Sequence, residues 1–156
     1  MTSNTNQPLR TVEWTDNKVR MIDQTKLPNE FVYVEYTDFN QVADAIKNLV
    51  VRGAPAIGVS GAFGLALASI QSNAETKDDL LVYLEEAHKI LLATRPTAIN
   101  LKWGLDQIMT IAKQGDNVEQ IRSSVIEESK RLAEEDIKIN KTMGKFGSEL
   151  FANNDT

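Results

Sequence analysis

Val12 and Trp14 alternate with polar neighbours, a polar "TDNK" follows at 15–18, and Val19, Met21 and Ile22 resume the apolar pattern. Period-two alternation on both sides of a short polar turn predicts an antiparallel hairpin. "FVYVEY", Phe31–Tyr36, is aromatic and β-branched and predicts a third strand. At Asp38 the period lengthens. Val42, Ala45, Ile46 and Leu49 fall at i, i+3, i+4 and i+7, one face of a helix, and Asp38 with Gln41 has the spacing of a capping box.

The next apolar run has no polar face. Ala54 to Ile70 carries no charge, holds three glycines and two serines, and has Arg52 just ahead of it. Pro55 suits a first helical turn, and a helix apolar all round predicts burial on every side rather than a bilayer span, since small residues dilute its hydrophobicity and no aromatic belt flanks it. Thr76 with Asp79 opens a further helix with Leu80, Leu84, Ala87 and Leu91 on one face, which Pro96 ends. Thr97 then reads as the cap of a helix carrying Leu101, Leu105, Ile108 and Ala112, stopped by Gly115. From Asn117 to about Phe151 a single pattern runs through Val118, Ile121, Val125, Leu132, Ile139, Met143, Phe146 and Leu150, with Gly144 or Gly147 as places for a break. The expected fold is α+β: a small three-stranded antiparallel sheet followed by five helices. The expected divisions are a disordered lead at 1–9, a sheet subdomain at 10–37, a helical domain at 38–152 and a tail at 153–156. No strand–helix alternation encodes a doubly wound sheet.

Composition changes this picture little. The 156 residues are 42% hydrophobic and 25% charged, as in an ordinary globular domain. A net charge of −5 argues against nucleic acid as a partner, which wants a basic face, but leaves room for a small anion held by one or two local cations. The absence of cysteine removes disulfides, thiolate metal sites and a cysteine nucleophile. The polar N-terminus shows no secretory h-region, so the expected location is cytoplasmic, with no membrane partner.

Candidate chemistry gathers at two proline-marked helix junctions. In "VRGAPAIG", Gly53 and Ala54 precede a helix whose first N–H groups and dipole favour an anion, and Arg52 adds a planar cationic fork. In "ATRPTAINLKWG", Arg95 lies between two helices. Either arginine read alone is an ordinary surface residue or a dipole partner; together they make an anion clamp. His88 reads as a structural histidine and Trp14 and Trp103 as packing residues. Glu127, Glu128, Glu134, Glu135 and Asp136 read as a solvated face served by Lys130, Arg131 and Lys138.

"RGAPAIG" at 52–58, "RPTAINLKWG" at 95–104 and "EDIKINKTMGKFG" at 135–147 together resemble the methylthioribose-1-phosphate isomerases. These belong to the superfamily that includes the regulatory subunits of translation initiation factor 2B. The resemblance runs from about Leu9 to Leu150. It implies an aldose–ketose isomerisation of methylthioribose 1-phosphate to methylthioribulose 1-phosphate in methionine salvage, with no cofactor and no metal. It implies substrate contacts at Arg52, Gly53, Ala54 and Arg95, and a homodimer when complete. It also implies a Rossmann-like C-terminal α/β domain carrying the catalytic cysteine and aspartate. No cysteine occurs here, so no catalytic residue is assigned. The chain is expected to be a fragment, half of a split protein or a remnant, inactive alone. The alternatives are a regulatory or scaffold module like the initiation-factor relatives, or a ribose-1,5-bisphosphate isomerase.

Overall fold

The computed structural model describes residues 9–151. The expected tail, and all of the expected lead but Leu9, fall outside them. Asp16 and Asn17, at φ 49° and 58°, form the two-residue turn whose left-handed backbone matches the twist of paired strands. They join β1 (Val12–Thr15) to β2 (Lys18–Ile22), with Val12 opposite Met21 and Trp14 opposite Val19. β3 (Tyr33–Tyr36) pairs antiparallel with β2, placing Met21 opposite Val34, and the sheet order is β1-β2-β3. The third strand starts at Tyr33 rather than Phe31, whose ring is exposed and meets Tyr33 edge-on at 5.3 Å.

Five helices follow: α1 (Phe39–Lys47), α2 (Ala54–Gln71), α3 (Lys77–Thr94), α4 (Ile99–Gln114) and α5 (Val118–Ser148). Asp38 forms its capping box with Gln41, Thr76 accepts from the Asp79 N–H at 3.2 Å, and Asn117 accepts from the Gln120 N–H at 2.9 Å. The Thr97 cap does not form. The Ala98 N–H donates to the Arg95 carbonyl at 3.0 Å, so Pro96 and Thr97 are spent in a turn, and the cap position falls to Ala98, whose methyl group accepts nothing. No break occurs at Gly144 or Gly147; α5 runs through both. Gly115 ends α4 at φ −70°. Space, not a left-handed conformation, requires glycine there, because a Cβ would stand 2.5 Å from Ile121 Cγ1.

α2 is the centre of the molecule, and α1, α3, α4, α5 and the first two strands all pack on it. Every residue from Ile57 to Ser69 is buried, which is why the helix has no polar face. Among the described residues it is the one helix long and apolar enough to cross a membrane, and it is enclosed by protein. Its glycines set how close the neighbours come. A Cβ on Gly58 would lie 2.7 Å from the Asn100 carbonyl oxygen, and one on Gly104 would lie 2.5 Å from the Gly58 carbonyl oxygen. α2 and α4 therefore touch backbone to backbone near their N-termini.

The other end of α2 has no basic residue in its last turn. Arg122 of α5 reaches across and donates from Nε to the Ser69 carbonyl at 2.9 Å and from Nη2 to the Ser72 carbonyl at 2.6 Å. A cation on these unpaired carbonyls complements the negative end of the dipole. Arg122→Ala is expected to lower stability by about 2 kcal/mol, the scale of charge-assisted hydrogen bonds. Urea unfolding followed by circular dichroism checks this, and a loss within ~0.5 kcal/mol, as for an ordinary surface substitution, contradicts it.

Candidate functional site

The backbone contact between Gly58, Asn100 and Gly104 brings the starts of α2 and α4 to one end of the molecule. These are the two helices without a side-chain cap; Asp38, Thr76 and Asn117 cap the other three. Two converging N-termini with free N–H groups make an electropositive end without any excess of basic side chains.

Gly53 takes the cap position of α2 at φ 94°, ψ 130°, a backbone region open to glycine. A Cβ there would meet nothing within 4 Å, so the requirement is conformational rather than spatial. Gly53→Ala is expected to cost about 1–3 kcal/mol of stability by forcing a side chain into that region. Thermal and urea unfolding measure it; wild-type stability would show that the residue adopts another φ at no cost.

Arg52, Gly53, Ala54 and Pro55 are exposed, so this end of α2 opens to solvent although the rest of the helix is buried. Three hydrogen bonds hold the approach. The Gln24 N–H donates to the Val50 carbonyl at 2.9 Å, Gln24 Nε2 donates to the Arg52 carbonyl at 3.3 Å, and Arg52 Nη2 donates to the Gln24 carbonyl at 2.7 Å. The loop after β2 thus fixes both the backbone and the side chain of Arg52. Nothing in the sequence around Gln24 signals this, because the contact spans 28 positions.

Arg95 is the C-cap of α3, half-buried, with its carbonyl accepting from Ala98 at the mouth of α4. The α3–α4 junction is tied further along by His88 Nε2, 2.9 Å from Asp106 Oδ1, with Lys102 on the other oxygen of the same carboxylate. Burial pushes the Asp106 carboxyl up, but hydrogen bonds and charge from Lys102 and His88 outweigh it and hold it below the usual range. His88 thus bridges α3 to α4, in keeping with a structural histidine beside the apolar stripe of α3.

Of the arginines, Arg10 pairs with Glu134, Arg20 with Glu13 and Arg131 with Glu128 and Glu135, while Arg122 caps α2. Arg52 and Arg95 are those that form no ion pair with a carboxylate among the described residues, although Arg95 stands at the C-terminus of α3. Both adjoin the starts of α2 and α4, but neither lines a cleft described below. On α5, Lys130 and Arg131 pair with Glu127, Glu128 and Glu135 as expected, whereas Lys138 forms no ion pair among the described residues, Glu128 is largely shielded, and Asp136 is half-buried, where burial raises its carboxyl pKa although Asn140 partly offsets this. Trp14 packs 5.7 Å from Phe63, but Trp103 is 52% exposed and is not the packing residue its type suggested.

Besides a cleft of about 250 Å³ running past Ala56 and Val59 to Asn140 and Lys141, two more flank this region. One of about 520 Å³, between β1 and α5, is lined by Arg10, Trp14, Lys130 and Glu134, and its cations are already paired with acids. The other, of about 320 Å³, lies between the starts of α2 and α4 and the middle of α5. Pro55, Val59, Trp103, Leu132 and Ile139 make it mostly apolar, with Glu135 and Asp136 at its α5 wall.

Residues 50–156 match the initiation factor 2 subunit family. The chain belongs to that family. It is 46% identical over 143 residues to the methylthioribose-1-phosphate isomerase of Trichlorobacter lovleyi, covering 90% of this chain and 41% of that protein. It is 44% identical to the putative methylthioribose-1-phosphate isomerase of Pyrococcus furiosus, covering 90% and 40%. Among solved structures, 5-methylthioribose 1-phosphate isomerase from Pyrococcus horikoshii superposes with a TM-score of 0.88 at 42% identity, over 94% of this chain and 42% of that one. Translation initiation factor eIF-2B subunit delta from A. fulgidus gives the same TM-score, 0.88, at 40% identity, over 95% and 43%. The chain thus spans about two-fifths of the length of these relatives.

Proposed function

We propose that this chain is the substrate-binding part of a methylthioribose-1-phosphate isomerase, an enzyme of methionine salvage working in the cytoplasm without metal or cofactor. The phosphate sits on the start of α2. The observation that carries the reading is the pair of uncapped N-termini, α2 and α4, meeting beside the two arginines that pair with no carboxylate among the described residues. N–H groups after Gly53 hydrogen-bond the phosphate, Ala54 keeps the approach free of bulk, and Arg52 supplies a fork matched to phosphate oxygens. Arg95 adds a second positive charge from the α4 side. The names of the relatives support the sugar phosphate as ligand and the isomerisation as the activity of the whole protein. The complete protein is a homodimer with an α/β domain following α5.

Arg52→Ala is expected to weaken binding of methylthioribose 1-phosphate by about 2 kcal/mol. This is the low end for truncating one partner of a charge pair, since Arg52 is exposed to solvent. Titration of the chain by calorimetry or by amide NMR shifts at Gly53 and Ala54 measures it. Unchanged affinity removes Arg52 from the contact. Failure of the wild-type chain to bind any sugar phosphate would favour the scaffold reading suggested by the initiation-factor neighbour.

A further inference from the structure

An arginine that grips phosphate has two requirements. Its fork must be aimed, and its charge must remain available. A carboxylate aims an arginine but neutralises it, as Glu134 does for Arg10, Glu13 for Arg20, and Glu128 with Glu135 for Arg131. Arg52 is aimed differently. Its Nη2 donates to the Gln24 backbone carbonyl at 2.7 Å, an acceptor without net charge. Resting on the sugar-phosphate reading above, we propose that Gln24 is a positioning residue for the phosphate site. It holds the Arg52 fork in one orientation and leaves the charge and the remaining N–H groups to the ligand.

The hold is reciprocal. Gln24 Nε2 donates back to the Arg52 carbonyl at 3.3 Å, and the Gln24 N–H donates to the Val50 carbonyl at 2.9 Å. Losing the side-chain bond lets the two segments part and slackens the grip of the Gln24 carbonyl on the fork. That carbonyl is itself anchored, because residue 24 leaves β2 through a bonded turn. The Asp23 N–H donates to the Val32 carbonyl at 2.9 Å, and Asp23 Oδ1 accepts from the Thr25 N–H at 3.0 Å and the Thr25 hydroxyl at 2.6 Å. On the other side, Val51 is fully buried and Gly53 has its backbone set at φ 94°. The torsions of the Arg52 side chain are what remain to be chosen, and Gln24 chooses them. An exposed arginine loses rotamer freedom when it grips a ligand; one already held has lost it on folding, so binding is stronger.

The amide is the group this place requires. It ends in an uncharged donor that meets the Arg52 carbonyl. A glutamate of the same length would set a carboxylate against that carbonyl, and would offer Arg52 an acid in competition with phosphate.

Calorimetry with methylthioribose 1-phosphate on the purified 156-residue chain tests this, beside urea unfolding of each variant. Gln24→Met keeps the length of the side chain but has no donor, and is expected to weaken binding about fivefold. Gln24→Glu is expected to weaken it by about tenfold or more. In an Arg52→Ala background Gln24→Met should change affinity by no more than about twofold, because its effect passes through the guanidinium. A merely structural role would lower affinity as much there as in the wild type. In the ligand-free chain, nitrogen relaxation at the Arg52 Nε–H should show an ordered side chain in the wild type and a mobile one in Gln24→Met. Unchanged affinity in both Gln24 variants, an equal loss in the Arg52→Ala background, or a mobile Arg52 Nε–H in the wild type each overturn the positioning role and leave the phosphate clamp standing. Failure of the wild-type chain to bind the sugar phosphate overturns that reading and the positioning role with it. Should Gln24→Met fail to fold, Gln24→Glu and the wild-type relaxation still decide.

Discussion

Gly104→Ala is expected to be among the most damaging single-methyl additions in this protein, costing about 3 kcal/mol, the upper part of the range for overpacking a tight core. The new Cβ would sit 2.5 Å from the Gly58 carbonyl oxygen, 3.0 Å from its carbon and 3.3 Å from its Cα. All three are backbone atoms of a helix buried on every side, so no rotamer change relieves the clash and α4 must move off α2. Other glycines grade the prediction. At Gly61 the nearest atom is Leu101 Cδ1 at 2.6 Å, the end of a flexible side chain, so Gly61→Ala should cost less. At Gly144 nothing lies within 4 Å, and the residue is mid-helix, so Gly144→Ala should gain about 0.5–1 kcal/mol from lower unfolded-state entropy. Urea unfolding of the three variants should rank them in that order. A Gly104→Ala protein as stable as wild type would mean that α2 and α4 are further apart than their backbones place them. Because the same contact aligns the starts of both helices, the variant should also bind sugar phosphate more weakly than its residual stability alone explains.

The second expectation follows from the proposed function: the 156 residues alone do not isomerise methylthioribose 1-phosphate. The anomeric phosphate blocks simple ring opening, so the reaction needs acid–base groups at the ring oxygen and at C1–C2, a contribution of about 10²–10⁴-fold for each well-placed group. The chain has no cysteine, its single histidine is committed to Asp106, and on α5 Glu127, Glu128, Glu134 and Glu135 are paired with cations while half-buried Asp136 is bonded to Asn140. A clamp that holds the phosphate equally in ground and transition states does not lower the barrier. Mixing the chain with the separately expressed remainder of a relative should restore turnover. Under that reading the far half of α5 is the expected docking face, since Met143 and Phe146 are 58% and 62% exposed and follow the buried part of the same stripe. Phe146→Glu should leave the fold of the chain intact and abolish restoration, because a carboxylate would replace an apolar contact. Turnover by the chain alone would overturn the expectation. Restored turnover that is unaffected by Phe146→Glu would move the docking face elsewhere.

The sequence by itself determined the element types and their order. Period-two alternation at Val12–Ile22 and helical periodicity from Asp38 are local signals, and tertiary packing reinforced them. It also marked α2 as buried, since a helix with no polar face has nowhere else to go. Arg52 and Arg95 stand out as candidates in the sequence because proline-marked junctions and a resemblance both point there. Three features were not legible, for one physical reason. The Gln24 hold on Arg52, the Gly58–Gly104 backbone contact and the cleft around Trp103 each depend on residues far apart in the chain, and no local period encodes distance across the fold. Thr97 shows the same limit in miniature. Its type promised a cap, but the turn closed by Arg95 and Ala98 took its place, and only the fold decided that the helix would begin uncapped beside α2.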